Sequence, residues 1–211
     1  MTQQPETSIA PVIEALEAAY ARLSGEFGLP PVTIVVASGA GRRPKWGHFH
    51  AGQYRLPEGS EEKPVHELLI AAESFRREPH ETFGTLVHEA AHAFNEANGI
   101  KDTSRGGRYH NKRFKKTAES FGLSIGFDES IGHSPTTVPQ ATRDAYASEI
   151  AAIGAATKVF RDFPEASSKP KARNNPKLTC ECGFIIRASR SVIESTSIHC
   201  GTCNTEFRET D

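Results

Sequence analysis

Apolar residues recur at helical spacing near the start of the chain. They fall three or four positions apart between residues 9 and 23, and Gly25 and Gly28 follow. This spacing predicts an amphipathic helix over residues 9–24 with a glycine-containing exit. Its apolar face comprises Ile9, Val12, Ile13, Leu16, Ala19, Tyr20 and Leu23.

Three segments between residues 32 and 74 have the pattern of β-strands. Residues 32–37 (VTIVVA) are β-branched and bounded by prolines and Gly39, which is typical of a buried strand. Residues 45–54 and 65–74 predict two further strands, with the turn-rich residues 57–64 between them. We expect the three strands to form a small, mostly antiparallel sheet.

The helical pattern returns after residue 78. Pro79 suits the first turn of a helix and Gly99 suits the residue that ends one. A shorter helix is predicted to end at Gly122, and a last helix is predicted over residues 139–156. The fold class is therefore α+β, with the sheet packed on helices in a main domain of residues 1–158. The apolar stripe of the helix after Pro79 is Phe83, Leu86, Val87, Ala90, Phe94 and Ala97.

The chain changes character after the main domain. Residues 159–177 are rich in serine, lysine, proline and asparagine, which predicts a linker that buries little surface. Residues 178–211 follow as a mini-domain that is too small to build a core without a metal.

The chain is almost neutral overall, but its charged residues are unevenly distributed along the sequence. The formal net charge is -1, which excludes a general polyanion binder. A stretch that begins at Lys101 is strongly basic and contains only Asp102 as an acid before residue 117. Its side chains are candidate DNA contacts, or a solvated loop. The candidate contacts are Arg105, Arg108, Lys112, Arg113, Lys115 and Lys116.

The N-terminal residues lack a basic segment followed by an apolar run, and no stretch has the length of a membrane span. We therefore expect a cytoplasmic protein with no membrane partner. The sequence leaves the oligomeric state open.

The sequence His88-Glu-Ala-Ala-His92 is an H-E-x-x-H motif within the helix that follows Pro79. Residues four apart lie about 40° apart around a helix, so both imidazoles can reach one Zn²⁺. Glu89 is offset to the side, where it can act as general base and take a proton from a metal-bound water. The motif predicts a catalytic zinc site; the alternative is a surface helix with two solvated histidines.

A catalytic zinc needs three protein ligands and an open fourth position. His110 lies after the basic loop, at the predicted start of the next helix, and is the favoured third ligand. Glu96, one turn after His92, is the alternative carboxylate ligand. The other histidines are less well placed: His80 lies upstream on the same helix, His133 lies in a polar loop that could line a substrate cleft, and His66 lies in a strand.

His88-Glu-x-x-His92, the basic glycine-containing loop and His110-x-x-x-Phe114 resemble the SprT-like metallopeptidase domain of bacterial SprT proteins and Spartan proteases, over about residues 9–157. The resemblance implies a zincin-like minimal core, zinc bound by His88, His92 and His110, and Glu89 as the catalytic residue. Spartan proteases cleave proteins crosslinked to DNA. Members often have glycine directly after the third histidine, whereas this chain has Asn111.

All four cysteines lie near the C-terminus as two pairs, Cys180-Glu-Cys182 and Cys200-Gly-Thr-Cys203. The pairs are separated by 17 residues of partly apolar sequence, which predicts a zinc ribbon with one structural Zn²⁺. The tight C-x-C of the first pair leaves disulfides, or His199 in place of one cysteine, as alternatives. SprT-like proteins often carry such a ribbon after the peptidase domain.

Together these features predict a zinc metalloendopeptidase with one catalytic and one structural zinc, acting on protein substrates that can be associated with DNA. The competing hypothesis is a non-catalytic nucleic-acid-binding protein that uses the peptidase fold as a scaffold. Trp46 and Phe49, near the predicted sheet edge, could stack on bases or bind an extended peptide by strand addition, although core packing is the favoured role.

Overall fold

The structure is a computed structural model, and it describes residues 7–40, 44–57, 64–163 and 175–209. The chain divides into two compact units, Met1–Pro164 and Glu165–Asp211. Within the predicted linker 159–177, residues 164–174 lie outside the described part. Residues up to 163 belong to the first unit, where the backbone N–H of Arg161 donates to the carbonyl of Ala72.

The first unit contains five of the six described α-helices. Helix α2 begins with Pro79 and a capping box in which Glu78 and Glu81 satisfy each other's backbone N–H groups. Its apolar stripe packs against the sheet and the neighbouring helices except at Ala97, which is exposed. The helices are α1 (Ala10–Phe27), α2 (Pro79–Ala97), α3 (Lys112–Ser120), α4 (Gln140–Ala145) and α5 (Ala147–Ala156), with a 3-10 helix at Ala72–Arg76.

The prediction of one continuous helix over residues 139–156 is wrong. The helix breaks at Tyr146, whose backbone leaves the helical region at φ -113° and ψ 28°. The Tyr146 ring packs on Phe83 and its hydroxyl donates to Glu26. These contacts lie outside the helix, so tertiary packing overrides the local helical pattern.

The main sheet is mixed, so the prediction of a mostly antiparallel sheet is wrong. Its strands are β1 (Val32–Ala37), β2 (Gly47–Tyr54) and β3 (Val65–Ala71), in the order β1-β3-β2. Strand β3 pairs with β2 antiparallel and with β1 parallel. Strand β3 lies at the centre, where Leu68 and Ile70 are fully buried, and β1 and β2 are the two edge strands.

Four two-residue strands complete the first unit and shape the loops beside α2. They form two antiparallel pairs, β4 (Thr103–Ser104) with β5 (Tyr109–His110), and β6 (Ser124–Ile125) with β7 (Thr136–Thr137). His110 therefore lies in a strand, and not at the start of the next helix, because its backbone pairs with β4 before α3 begins.

The second unit is a small antiparallel sheet with one short helix. Its elements are β8 (Lys177–Thr179), β9 (Ile185–Arg187), α6 (Arg190–Ser195) and β10 (Arg208–Glu209), with the strand order β10-β8-β9. The strands bring the two cysteine loops together. No described helix of either unit combines the length and the apolar character that crossing a membrane requires.

Candidate metal centres

Three histidines of the first unit converge on one point. His88 and His92 project from adjacent turns of α2, and the short strand β5 delivers His110 opposite them. The Nε2 atom of His110 lies 3.3 Å from Nε2 of His88 and 3.1 Å from Nε2 of His92. Ligands bound tetrahedrally to zinc at about 2.0–2.1 Å are about 3.3 Å apart. The spacing of the imidazoles therefore fits one zinc ion.

Hydrogen bonds on the far side of two rings fix which nitrogen carries the proton. The Nδ1 atom of His92 lies 2.6 Å from a carboxylate oxygen of Asp102, and Nδ1 of His110 lies 3.3 Å from the carbonyl oxygen of Ile131. Both oxygens only accept hydrogen bonds, so each Nδ1 carries the hydrogen. The Nε2 lone pairs of both rings therefore point to the shared centre, as metal ligands require.

His88 has the same arrangement through a hydroxyl. Its Nδ1 atom lies 2.8 Å from Oγ1 of Thr136, which donates its own hydrogen to the carbonyl of Ser134. The hydroxyl therefore accepts from the Nδ1–H of His88. Burial, together with the neighbouring histidines, lowers the pKa of His88 well below its ordinary value. Burial lowers the pKa of His110 to about 4. Both rings are neutral at physiological pH, which suits metal binding.

Asp102 is the residue that sequence reasoning missed most clearly. It also accepts a hydrogen bond from Nδ2 of Asn95, whose side-chain oxygen in turn accepts from Thr117 on α3. Burial disfavours its charged form, but the hydrogen bonds from His92 and Asn95 lower the pKa of Asp102 overall. Asp102 lies in the loop after α2, outside the H-E-x-x-H motif, so the spacing of the motif does not indicate that it supports His92. In the sequence it is evident only as the single acid of the basic stretch.

Phe114 forms an apolar wall beside the three imidazoles. Its ring centroid lies 4.5 Å from those of His88 and His92 and 4.7 Å from that of His110, and the side chain is fully buried. The ring limits the rotation of all three histidines and excludes water from one side of the centre.

Glu89 lies beside the histidines and does not belong to the cluster of ligand atoms. Its side chain is only 6% exposed, and this burial raises the pKa of its carboxyl to about 7. The backbone N–H of Phe49 in β2 donates to this carboxylate. Strand β2 can approach so closely because residue 47 is glycine: a Cβ atom there would lie 2.8 Å from Oε1 of Glu89.

The alternative ligands lie elsewhere. Glu96 is exposed on α2 and is not part of the cluster. His80 lies in the first turn of α2, and His66 accepts a hydrogen bond from the backbone of Gly52. His133 packs on Phe127, and its backbone N–H donates to the carbonyl of His110, so it supports the cluster from the backbone only.

The four cysteines of the second unit also converge. The Sγ atom of Cys182 lies 3.3 Å from that of Cys180 and 3.6 Å from that of Cys200, and all four ligand atoms fall within 4.8 Å of one another. A disulfide needs about 2.05 Å, so the thiols are free. Tetrahedral Zn–S bonds of about 2.3 Å separate the sulfur atoms by about 3.8 Å, so the cluster fits zinc closely.

Backbone N–H groups around the second cysteine pair favour thiolates. N–H groups of Thr202 and Cys203 lower the pKa of Cys200, and the hydroxyl and N–H of Thr205 lower that of Cys203 to about 5. Hydrogen bonds with the Cys180 and Cys203 thiols raise the pKa of Cys182 to about 12. His199, the alternative ligand, lies outside the cluster.

The candidate DNA contacts are displayed around β5 and α3. Five of the six basic side chains are exposed, and Lys115 forms an ion pair with Glu119. Arg105 stacks over the Tyr109 ring, 4.5 Å from its centroid. The exposed residues are Arg105, Arg108, Lys112, Arg113 and Lys116.

Comparisons of the chain with protein-family models, curated proteins and solved structures found no significant match. The likeness to SprT-like peptidases therefore remains a prediction, and the function is argued from the two clusters.

Proposed function

We propose that this chain is a zinc-dependent endopeptidase of the SprT-like type, with Glu89 as general base. The observation that carries the proposal is the convergence of three imidazoles, each oriented with Nε2 towards the shared centre, directly beside a buried carboxyl. Structural zinc sites use four protein ligands, whereas three histidines leave a position open for chemistry. Four cysteines would hold the second, structural zinc in the C-terminal unit.

A zinc ion held by the three histidines would act as a Lewis acid towards a water molecule and towards the scissile carbonyl. The residues of the chain provide the proton transfers. Glu89, buried directly beside the histidines, is positioned to accept a proton from that water and to donate it again to the leaving amine. Asp102, Thr136 and the carbonyl of Ile131 hold the imidazoles in the orientation that keeps Nε2 towards the centre.

The edge of the sheet suits an extended protein substrate. Strand β2 is the edge strand of the main sheet that lies beside Glu89, through Gly47 and Phe49. A peptide that follows this edge would pass beside the general base, since edge strands bind extended chains through backbone hydrogen bonds. The exposed basic side chains of β5 and α3 support a substrate protein that is bound to DNA.

The test is cleavage of a DNA-binding substrate protein, with and without single-stranded DNA, by the wild type and Glu89→Gln. We expect the substitution to reduce cleavage by about 10²–10⁴-fold, the usual contribution of a general base, and to leave the bound metal in place. Glu96→Gln is the matched control on the same helix and should cleave normally. Loss of metal in Glu96→Gln would make Glu96 a ligand; equal cleavage by Glu89→Gln would refute the assigned base.

The competing function is nucleic-acid binding without catalysis, supported by the five exposed basic side chains. In that case, charge-reversing Arg113→Glu and Lys116→Glu would weaken DNA binding while Glu89→Gln would change nothing, and no substrate would be cleaved under any condition. Under our proposal, the charge reversals reduce only the cleavage that depends on DNA.

A further inference from the structure

Trp46 lies at the entrance of the edge strand and is 42% exposed, so the expectation that it packs in the core is wrong. It borders a cleft of about 410 Å³, within the size range of ligand sites. The Phe163 ring lies edge-on to Trp46, with centroids 4.9 Å apart. Large aromatic side chains with an exposed face are typical of binding sites.

The guanidinium of Arg77 lies over the Trp46 ring, with Cζ 4.2 Å from the centroid. Its hydrogen bonds to described residues come from Nη2 and reach Oγ1 of Thr85 at 2.8 Å and the carbonyl of Glu81 at 3.4 Å. Its Nε is buried, and no hydrogen-bond partner lies among the described residues. Within the same residues no carboxylate lies within ion-pair distance of Arg77.

The other charges around the cleft are matched. Glu73 accepts hydrogen bonds from Ser38 and from the backbone of Gly39, and it pairs with Arg161 at 3.5 Å. Arg76 forms an ion pair with Asp162. Arg77 is therefore the one half-buried cation of the described cleft with no carboxylate within ion-pair distance, although the Glu81 carboxylate acts on it from farther away. Such a charge is costly unless a ligand neutralises it.

The cleft lies close to the proposed catalytic centre. Thr85, which accepts from Arg77, is one helical turn before Glu89, and four residues of α-helix rise about 6 Å. Gly47, the residue after Trp46, contacts both Thr85 and Glu89. Because an extended chain advances about 3.3 Å per residue, the cleft lies about two residues from the peptide bond whose hydrolysis Glu89 would assist as general base.

We propose that Arg77 and Trp46 form a specificity site that binds the carboxylate of a substrate aspartate or glutamate about two residues from the cleaved bond. This inference rests on the proposed peptidase function. Arg77 supplies the charge for the carboxylate, and the exposed parts of the Trp46 and Phe163 rings cover the methylene groups of the side chain. Acidic segments of protein substrates would thus be cleaved preferentially.

A single carboxylate fits the site better than a nucleic-acid backbone. One guanidinium is unmatched, while Glu73 and Asp162 also line the cleft and would repel a row of phosphates. One face of the Trp46 ring is already covered by Arg77, which leaves less room for base stacking. Binding of an oligonucleotide that depends on Arg77 is therefore an outcome that would overturn the proposal.

The test uses the only tryptophan of the chain, Trp46, as a fluorescence reporter. Full-length Glu89→Gln protein loaded with zinc is titrated with capped nine-residue peptides that carry glutamate or glutamine two residues before or after the central bond. Since an ionised carboxylate forms stronger hydrogen bonds with a guanidinium than a neutral amide does, we expect one glutamate peptide to bind about tenfold tighter than its glutamine partner.

Arg77→Met should abolish that preference and Arg77→Lys should retain part of it. Arg22→Met, the matched control at a cation that is paired with Glu149 and lies outside the cleft, should retain all of it. If neither glutamate placement is preferred, or if the preference survives Arg77→Met in a folded protein, the proposal is wrong. If an Arg77 variant fails to fold, the affinities of the glutamate and glutamine peptides for the protein that keeps Arg77 still test the proposal. Because binding is measured without cleavage, a glutamate preference would support the site even if the wild type cleaved no substrate, so the two proposals can fail separately.

Discussion

The two ligand clusters of this chain differ in what holds their side chains in place. The three histidines belong to a unit with a continuous core drawn from its helices and main sheet. The four cysteines belong to a unit in which Leu178, at 2% exposed, is the one buried aliphatic side chain among described residues. In the first unit the hydrophobic core positions the histidines. In the second unit the core is too small, so metal binding by the cysteines must stabilise the fold.

The two clusters also differ in which groups orient their side chains. The histidines receive support from Asp102, Thr136 and Phe114, so their geometry is set before any metal arrives. The cysteines are oriented by short loops and by N–H groups of those same loops. A preformed site with three ligands suits catalysis, and a closed site with four suits structure.

The largest effect should come from removing the thiolates. In Cys200→Ser with Cys203→Ser, we expect bound zinc to fall from two to one per chain and the C-terminal unit to unfold, because structural zinc contributes about 10–16 kcal/mol in such small units. Atomic emission gives the metal count, and NMR amide signals report each unit separately.

The matched change in the first unit is His88→Ala with His92→Ala. It should also remove one zinc, but the NMR spectrum of the first unit should stay dispersed, because its core does not depend on the metal. Retention of two metals in the cysteine variant would contradict the assignment of the second site. Unfolding of the first unit in the histidine variant would contradict the comparison itself.

A smaller effect is expected at Asp102, which tests whether the histidine site is preformed. Asp102→Asn keeps the size of the side chain but removes the charge that accepts from His92. Loss of such a support typically weakens metal affinity about 10–100-fold. Competition with a zinc-binding dye measures this, and Asp144→Asn, at an exposed acid on α4, serves as control. Equal affinities would show that His92 needs no carboxylate for its orientation.

The sequence allowed the helix of the motif, its buried stripe and the cysteine pairs to be identified, because each is a local pattern. Periodicity alone located α2, with its start at Pro79 and its end near Gly99. The ligand pairs lie close together in the chain, so helix and loop geometry bring them together with little help from the rest of the fold.

The parts that could not be predicted depend on contacts between distant residues. The parallel pairing of β1 with β3 follows from which strand buries both faces, and the break at Tyr146 follows from its contacts with Phe83 and Glu26. The hydrogen bond from Nδ1 of His88 to Oγ1 of Thr136 joins residues 48 positions apart in the sequence. No local pattern encodes such pairs, and the exposure of Trp46 depends on its neighbours in the same way.

The smallest effect concerns Glu73, a metal-independent support of the first unit. Its side chain is 2% exposed, and although burial opposes ionisation, hydrogen bonds from Gly39 and Ser38 and the charge of Arg161 lower its pKa. A pKa that is lowered on folding stabilises the folded state above the pKa of the unfolded chain, and the contribution is lost as pH falls through the folded value. Glu73→Gln should therefore lower the free energy of unfolding by about 1 kcal/mol at pH 7.

Urea unfolding followed by circular dichroism between pH 7 and pH 3 measures this difference, with Glu96→Gln as the exposed control. The difference in the free energy of unfolding between wild type and Glu73→Gln should shrink as the pH falls below the ordinary pKa range of a glutamate. Protonation then removes the ionised carboxylate of Glu73 from the wild type, and the substitution has already removed it from the variant. If the difference were constant with pH, the ionised carboxylate would not be the stabilising form. The effect should also persist in the His88→Ala, His92→Ala variant, because Glu73 stabilises the unit whether or not the histidines hold a metal.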